Sequence, residues 1–359
     1  MKKEIILSYF PKITPKRYQQ MLAFFSSLDN AWAGEFDEFK KAGWDDVVIS
    51  EFLEWRDKVD EEKITKILKQ EGITCITQDY EEYPKLLKEI YDPPFCLFVR
   101  GQIPKNEFML AVVGPRRYTS YGKQVTEEIV SELARQGITI VSGLALGIDS
   151  IAHKATLKAG GATVAVLGSG VNKQHIAPAE HAQLAEEIIA NNGAVLAEYP
   201  PGTVPTIYTF PRRNRIVAGM SLGTLVIEAA EGSGALITAQ CTLDNGRELF
   251  AVPQNITSLM SVGVNKLLKN GANIVTSAQD ILDVLDLRDV KQIITNREII
   301  PASPSEAKLI PHLSREPIHV DALTKLSSLD SPSVNATLTI MEMTGKVRNL
   351  GNMMYVLAK

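Results

Sequence analysis

A chain of 359 residues with 45% apolar and 22% charged side chains has the composition of an ordinary globular protein of two or three domains. Its formal net charge of −4 rules out a global positive field for a polyanion, so any nucleic-acid surface must be local. The 3 cysteines, none in a Cys-x-x-Cys pair, argue against a disulfide framework or a zinc knuckle. No apolar run reaches the ~18 residues that span a bilayer, and no signal-peptide core is present. The expectation is a cytoplasmic protein without membrane contact or metal.

Residues 1 to about 70 read as helices, with apolar side chains at three- and four-residue spacing over 15–25, 35–42 and 45–69. Trp32, Trp44 and Trp55 fall here and are expected to fill a small helical core rather than to stack on bases. From Phe108 onward, short apolar runs at 109–113, 138–141, 163–167, 194–197, 224–227 and 248–252 alternate with helical patterns at 121–135, 149–158, 179–191 and 236–245. Such alternation predicts a parallel sheet covered on both faces, with ligands bound beyond the carboxyl ends of its strands. A charged stretch at 288–305 carrying Pro301 and Pro304 reads as a linker. The tail, 306–359, has three short helical patterns and a hairpin with a Gly351-Asn352 turn, which predicts a winged helix. Its would-be recognition helix, 331–343, has no Lys or Arg, which favours a protein partner over DNA.

The post-strand segments carry the chemistry. They are Gly114-Pro115-Arg116-Arg117, then Ser142-Gly143 running on to Asp149, then a long loop ending in Phe210-Pro211-Arg212-Arg213-Asn214-Arg215, and finally Gly232-Ser233-Gly234 leading to Thr238. Glycines expose backbone N–H groups and helix N-termini add positive partial charge, so this rim suits phosphates. None of the loops is a dinucleotide or P-loop fingerprint, so no NAD or ATP cofactor is expected. Between Tyr199 and Ile227 there is no Asp or Glu, while three arginines cluster beside Phe210. Two readings stay open for that cluster. Bases stack on the ring while guanidinium groups hold the backbone, or Phe210 packs inward and the arginines pair with Glu198, Glu228 and Glu231. Asp149 and His153, four apart on one helix, are expected to be structural, with Asp149 as an N-cap. An acid/base pair of Glu228 and Glu231 is likewise given a structural role. The segment 259–272, with Leu259, Met260, Val262, Val264, Leu267 and Leu268, carries more apolar surface than an outer helix needs and is expected to form a twofold dimer contact.

The ordered series Tyr83-Pro84, Asp92-Pro93-Pro94, Gly114 to Asp149, His153, Gly168, Phe210 to Arg215, Gly232 to Ala239, Ala251-Val252-Pro253 and Gly263 to Ala272 resembles the DNA-processing protein A (DprA/Smf) family over roughly residues 80 to 285. The resemblance implies a sterile-alpha-motif-like helical domain (1–75), a Rossmann-like doubly wound, mainly parallel sheet (76–287) and a winged helix (306–359). It implies a non-enzymatic protein that binds single-stranded DNA in natural transformation, shields it from nucleases, loads the RecA recombinase and forms a homodimer. The DNA-binding residues it implies are Arg116, Ser142, Gly143, Phe210, Arg212, Arg213, Asn214, Arg215, Gly232, Ser233, Gly234 and Thr238. Pro115, Ala177 and Gln254 depart from the family pattern. The competing function is a phosphoribohydrolase that cuts the base from nucleoside monophosphates. Such enzymes carry Pro-Gly-Gly-x-Gly-Thr before a catalytic glutamate; here Ser221-Leu222-Gly223-Thr224 precedes Glu228, so the Pro-Gly-Gly is missing.

Overall fold

A computed structural model describes residues 1–105, 108–287, 303–314, 317–344, 346–351 and 353–357. Most of the expected linker (288–302) and Asn352 of the expected hairpin turn lie outside the described residues. The chain forms two compact units, Met1–Asp286 and Leu287–Lys359.

The first unit is built on a nine-stranded sheet. In chain order the strands are β1 (Thr74–Thr77), β2 (Cys96–Gly101), β3 (Met109–Val113), β4 (Thr139–Ser142), β5 (Thr163–Val166), β6 (Ala194–Ala197), β7 (Gly223–Val226), β8 (Glu248–Ala251) and β9 (Asn273–Ile274). Their spatial order is β1-β2-β6-β5-β4-β3-β7-β8-β9. All pairs from β6 to β9 are parallel, and β2 joins β6 antiparallel with Phe98 opposite Ala197. The six apolar runs seen in the sequence are β3 to β8. The two antiparallel strands at one edge were not foreseen, and β1 takes Thr74 and Cys75 from the stretch assigned to the helical domain.

Parallel strands are apolar on both faces because helices cover both. Met109, Ala111 and Val113 share one core with Ile216, Val217, Ala235, Ala239 and Val264. Cys96, Phe98, Ala165, Leu167, Val195 and Ala197 share another with Leu184, Ala185, Ile188 and Ile5. Ile5 thus ties the first helix, Lys3–Leu7, to the sheet.

The preceding helices form their own core of Phe10, Met21, Phe39, Trp44, Ile49 and Phe52, with Trp32 and Trp55 packed against it. The tryptophans are core residues, as their clustering predicts. The expected helix over 45–69 is two, Asp46–Lys58 and Glu61–Gln70: the backbone turns extended at Val59, and Asp60 caps the second by accepting from the Lys63 N–H at 2.9 Å. The apolar segment at 259–272 exposes less than its composition implies. Val264 is buried and Leu267 and Leu268 pack on the core, leaving Leu259 and Val262 outside.

The second unit packs helices Pro304–Leu309, Val320–Ser327 and Ser331–Met343 against a three-stranded antiparallel sheet of β10 (Ile318–His319), β11 (Val347–Asn349) and β12 (Met354–Leu357). Helices with a terminal hairpin make a winged helix. Among the described residues no helix is long and apolar enough to cross a membrane.

Candidate nucleic-acid interface

In an open parallel sheet the strand order reverses at one place, and a crevice opens there beyond the strand ends. Here the chain runs from β3 outward through β4 and β5 on one side and continues at β7 on the other, so the reversal lies between β3 and β7. That crevice is closed. Glu228, just beyond β7, is fully buried, and its carboxylate accepts from the Thr119 N–H at 3.0 Å and the Thr119 hydroxyl at 2.5 Å. Gly122 makes the fit possible, since a Cβ there would strike the carboxylate. The tie holds the segment 114–119 that carries Arg116 and Arg117.

The exposed side chains of this rim lie in the segment after β3 and at the head of the helix that follows β6. Helix Thr209–Gly219 enters over Gly168, where the missing side chain leaves Phe210 close against the backbone. Phe210 is half-buried, and the exposed Arg116 guanidinium lies over its ring at 5.6 Å. A guanidinium beside an aromatic ring puts N–H donors for phosphate and an apolar surface for a base next to each other. Arg117 beside it is exposed and makes no ion pair among the described residues.

The other arginines differ. Arg213 is buried and donates to the Val166 carbonyl at the end of β5. A Cβ at Gly143 would collide with its guanidinium, so that glycine is a space for Arg213 rather than a cradle open to a ligand. Arg215 is also buried, in ion pairs with Glu198 at 2.5 Å and Asp92 at 2.9 Å. Arg212, about a third exposed, lies 3.5 Å from the other Glu198 oxygen. The pairing reading of the cluster therefore holds for Arg215 and Arg212, which share Glu198, with Asp92 as a second partner of Arg215; Glu228 is bound by Thr119 instead, and Arg213 is held by a backbone carbonyl, while the stacking reading fits the Arg116–Phe210 pair.

The remaining expected residues divide in the same way. Ser142 is buried and its hydroxyl donates to the Val112 carbonyl at 2.6 Å, and Thr238 is buried within helix Gly234–Asp244. Neither presents its side chain to a ligand. Gly232 and Gly234 are exposed at the rim, Ser233 caps the helix by accepting from the Ala235 N–H at 3.4 Å, and the Asn214 amide donates to the Gly234 carbonyl at 3.4 Å.

Asp149 is not the N-cap; Gly147 holds that position. The buried Asp149 carboxylate instead reaches back to accept from the N–H groups of Gly143 at 3.1 Å and Ala145 at 3.4 Å, shaping the post-β4 loop. Burial pushes its carboxyl upward in pKa, while Arg213 and these amides pull it down. His153 lies beneath, with Nδ1 at 2.7 Å from the Thr163 hydroxyl, and burial lowers its pKa to about 3. Because that hydroxyl donates to the Ile140 carbonyl at 2.6 Å, His153 must donate from Nδ1, and Nε2 has no partner among the described residues.

This architecture has known counterparts. The family model for DNA recombination-mediator protein A matches residues 74–286, and that for the DprA winged helix domain matches residues 295–353. The chain belongs to the DprA/Smf family. It is 39% identical to Protein Smf of Escherichia coli over 77% of this chain and 76% of the relative. The solved DprA of Streptococcus pneumoniae aligns with a TM-score of 0.68 at 32% identity, covering 79% of this chain and 98% of that one. DprA of Helicobacter pylori, whose structure was described for its single-stranded DNA binding mode, aligns with a TM-score of 0.52 at 31% identity over 59% of this chain and 95% of that one.

Two of the departures from the DprA pattern have a visible setting. The Pro115 carbonyl accepts from the Ile148 N–H at 3.3 Å and lies where a Cβ on Gly147 would go, and the Gly147 φ of +88° likewise favours glycine. The Gln254 amide donates to the Ile227 carbonyl at 2.9 Å, filling the place where glycine is usual. What the sequence did not single out is Arg117 and the Thr119–Glu228 tie. Adjacency to Arg116 signals the first, but nothing local signals the second, whose partners are 109 residues apart.

Proposed function

We propose that this DprA/Smf member binds single-stranded DNA on the rim beyond β3, β4 and β5, with no chemistry on the bound strand. The observation that supports this most directly is the exposed Arg116 guanidinium over the Phe210 ring. Cation and flat apolar surface stand together beside a stretch free of acids, and unpaired bases with a phosphate backbone fit both. Arg116, Arg117, Arg212, Phe210 and the exposed backbone at Gly232 and Gly234 would contact the strand. Arg213, Arg215, Gly143 and Asp149 would hold those contacts in place. The reading extends to the family's role in natural transformation or another recombination route, with RecA loaded onto the bound strand and a twofold dimer using Leu259 and Val262.

The phosphoribohydrolase reading is weaker. The Pro-Gly-Gly turn is missing, and the Glu228 carboxylate is buried with both oxygens engaged by Thr119.

Titrating single- and double-stranded oligonucleotides of equal length across a salt series tests the proposal. Single strands should bind more tightly, because paired bases cannot reach the ring. Arg116→Ala should reduce the salt slope by ~0.7, one single-strand phosphate contact. An Arg116→Ala variant with the parent's affinity and slope would place the site elsewhere. A monomer by light scattering at tens of micromolar would remove the dimer from the proposal.

A further inference from the structure

The two loops joined by the Arg116–Phe210 contact each carry another exposed tyrosine. Tyr208 lies two residues before Phe210 and is 78% exposed, and Tyr118 lies two residues after Arg116 and is 44% exposed. Neither hydroxyl has a hydrogen-bond partner among the described residues. Tyr208 contributes little to packing, and Tyr118 leaves close to half of its surface open, so both offer area to a ligand. Tyr121 nearby is different, since its hydroxyl donates to the Pro253 carbonyl at 3.2 Å and ties two segments together.

Both rings stand on backbone that the fold has fixed. The Thr206 hydroxyl accepts from the Tyr208 and Thr209 N–H groups at 3.3 Å each, and the Thr209 hydroxyl accepts from the Thr206 N–H at 2.9 Å. That turn sets Tyr208 at the head of helix Thr209–Gly219, which buried Arg213 and Arg215 anchor behind it. Tyr118 precedes Thr119, which Glu228 holds by two hydrogen bonds. Rings on fixed backbone lose little freedom when they meet a ligand. The surrounding charge selects the ligand's sign. Arg116 and Arg117 are exposed and have no carboxylate partner among the described residues, and the segment from Tyr199 to Ile227 has no acid.

We propose that Tyr208 and Tyr118 are two further base-stacking positions, so that a single strand runs along both loops with a base on each tyrosine as well as on Phe210. The inference rests on the reading of the Arg116–Phe210 rim as a single-strand site and extends it by two rings that nothing else in the fold employs.

The experiment is fluorescence anisotropy with labelled oligothymidylates from about four to about twenty nucleotides, using the parent, Tyr208→Ala, Tyr208→Phe, Tyr118→Ala, Tyr118→Phe, Phe210→Ala and Arg116→Ala proteins. Each tyrosine-to-alanine change should weaken binding of the longer oligonucleotides by ~5- to ~150-fold, the loss of one stacked base. Each phenylalanine variant should restore it, and the salt slope should stay that of the parent. On the shortest oligonucleotides the effect of at least one tyrosine should fade, because the strand no longer reaches both loops. If Phe210→Ala weakens binding while both tyrosine-to-alanine variants match the parent, the extension is wrong and the rim remains the site. If Phe210→Ala and Arg116→Ala also match the parent, the site reading fails and this inference with it. Equal loss on double-stranded DNA, or failure of phenylalanine to restore affinity, would show that the rings do not stack on bases and would overturn the proposal.

Discussion

The Arg116 guanidinium lies 5.6 Å above the Phe210 ring, joining the loop after β3 to the helix that follows β6. Replacing Phe210 by alanine should cost ~1–3 kcal/mol of single-strand affinity and leave the salt slope unchanged, because stacking releases few counterions. The ring is half-buried against Gly168, so Phe210→Leu is the companion variant. It should keep the melting temperature near that of the parent and still lose the stacking affinity. A Phe210→Leu protein that binds like the parent would mean the ring serves packing alone.

Arg215 should fail in the opposite manner. Its two ion pairs are with Glu198, itself only 9% exposed, and with Asp92. Removing it leaves the buried Glu198 carboxylate with only the longer Arg212 contact, so Arg215→Ala should lose up to roughly 3–5 kcal/mol of folding stability. The exposed Arg116→Ala should change stability by no more than about 0.5 kcal/mol. Urea unfolding of the two variants checks this, and equal midpoints would contradict the division between buried and exposed arginines.

Glu228→Ala should leave the Thr119 N–H and hydroxyl without their acceptor and lower stability by about 1–3 kcal/mol. Arg116 and Arg117 would lose their fixed loop, so single-strand affinity should fall as well, although Glu228 touches no ligand. The same variant addresses catalysis. The parent should release no adenine from AMP above the uncatalysed rate, measured by chromatography. Release by the parent that Glu228→Ala abolishes would revive the enzymatic reading.

His153 sets a pH dependence. Its pKa falls from the usual 6.5 to about 3 in the fold because burial disfavours the imidazolium. Below pH 6.5 the unfolded chain takes up a proton that the folded one refuses. Its contribution is therefore complete above that pH and declines toward pH 3, by up to ~1.4 kcal/mol per unit. Denaturant unfolding between about pH 7 and about pH 5 should show a steeper loss in the parent than in His153→Gln, which has no proton to gain. Parallel slopes would show that His153 can be protonated in place.

The central strands were readable because each is a short continuous apolar run, the mark of a strand buried on both faces. β1 and β2 were not. Thr74-Cys75-Ile76-Thr77 is half polar, and Phe98 finds its partner, Ala197, 99 residues further along. No local pattern encodes such a pairing. Asp149 shows the same limit on a smaller scale. Its position at a helix start was legible, but folding turned its carboxylate back to the loop amides of Gly143 and Ala145.

The sequence by itself determined the family, the order of the strands and helices from Met109 to Ala251, and the end of the sheet where glycine and arginine gather. It also showed that positive charge is concentrated between Tyr199 and Ile227, since no acid lies there to neutralise it locally. Which arginines face outward was decided only in three dimensions. Four consecutive helical residues, Arg212 to Arg215, point in different directions about the axis, so they cannot all reach one ligand. Folding brings the Val166 carbonyl to Arg213, and Glu198 and Asp92 to Arg215. Those partners lie outside the acid-free stretch, and a cation buried in a low-dielectric interior must be compensated. The cluster that looked like one binding patch is therefore split: its interior arginines hold the helix in place, and Phe210 remains at the surface beneath Arg116.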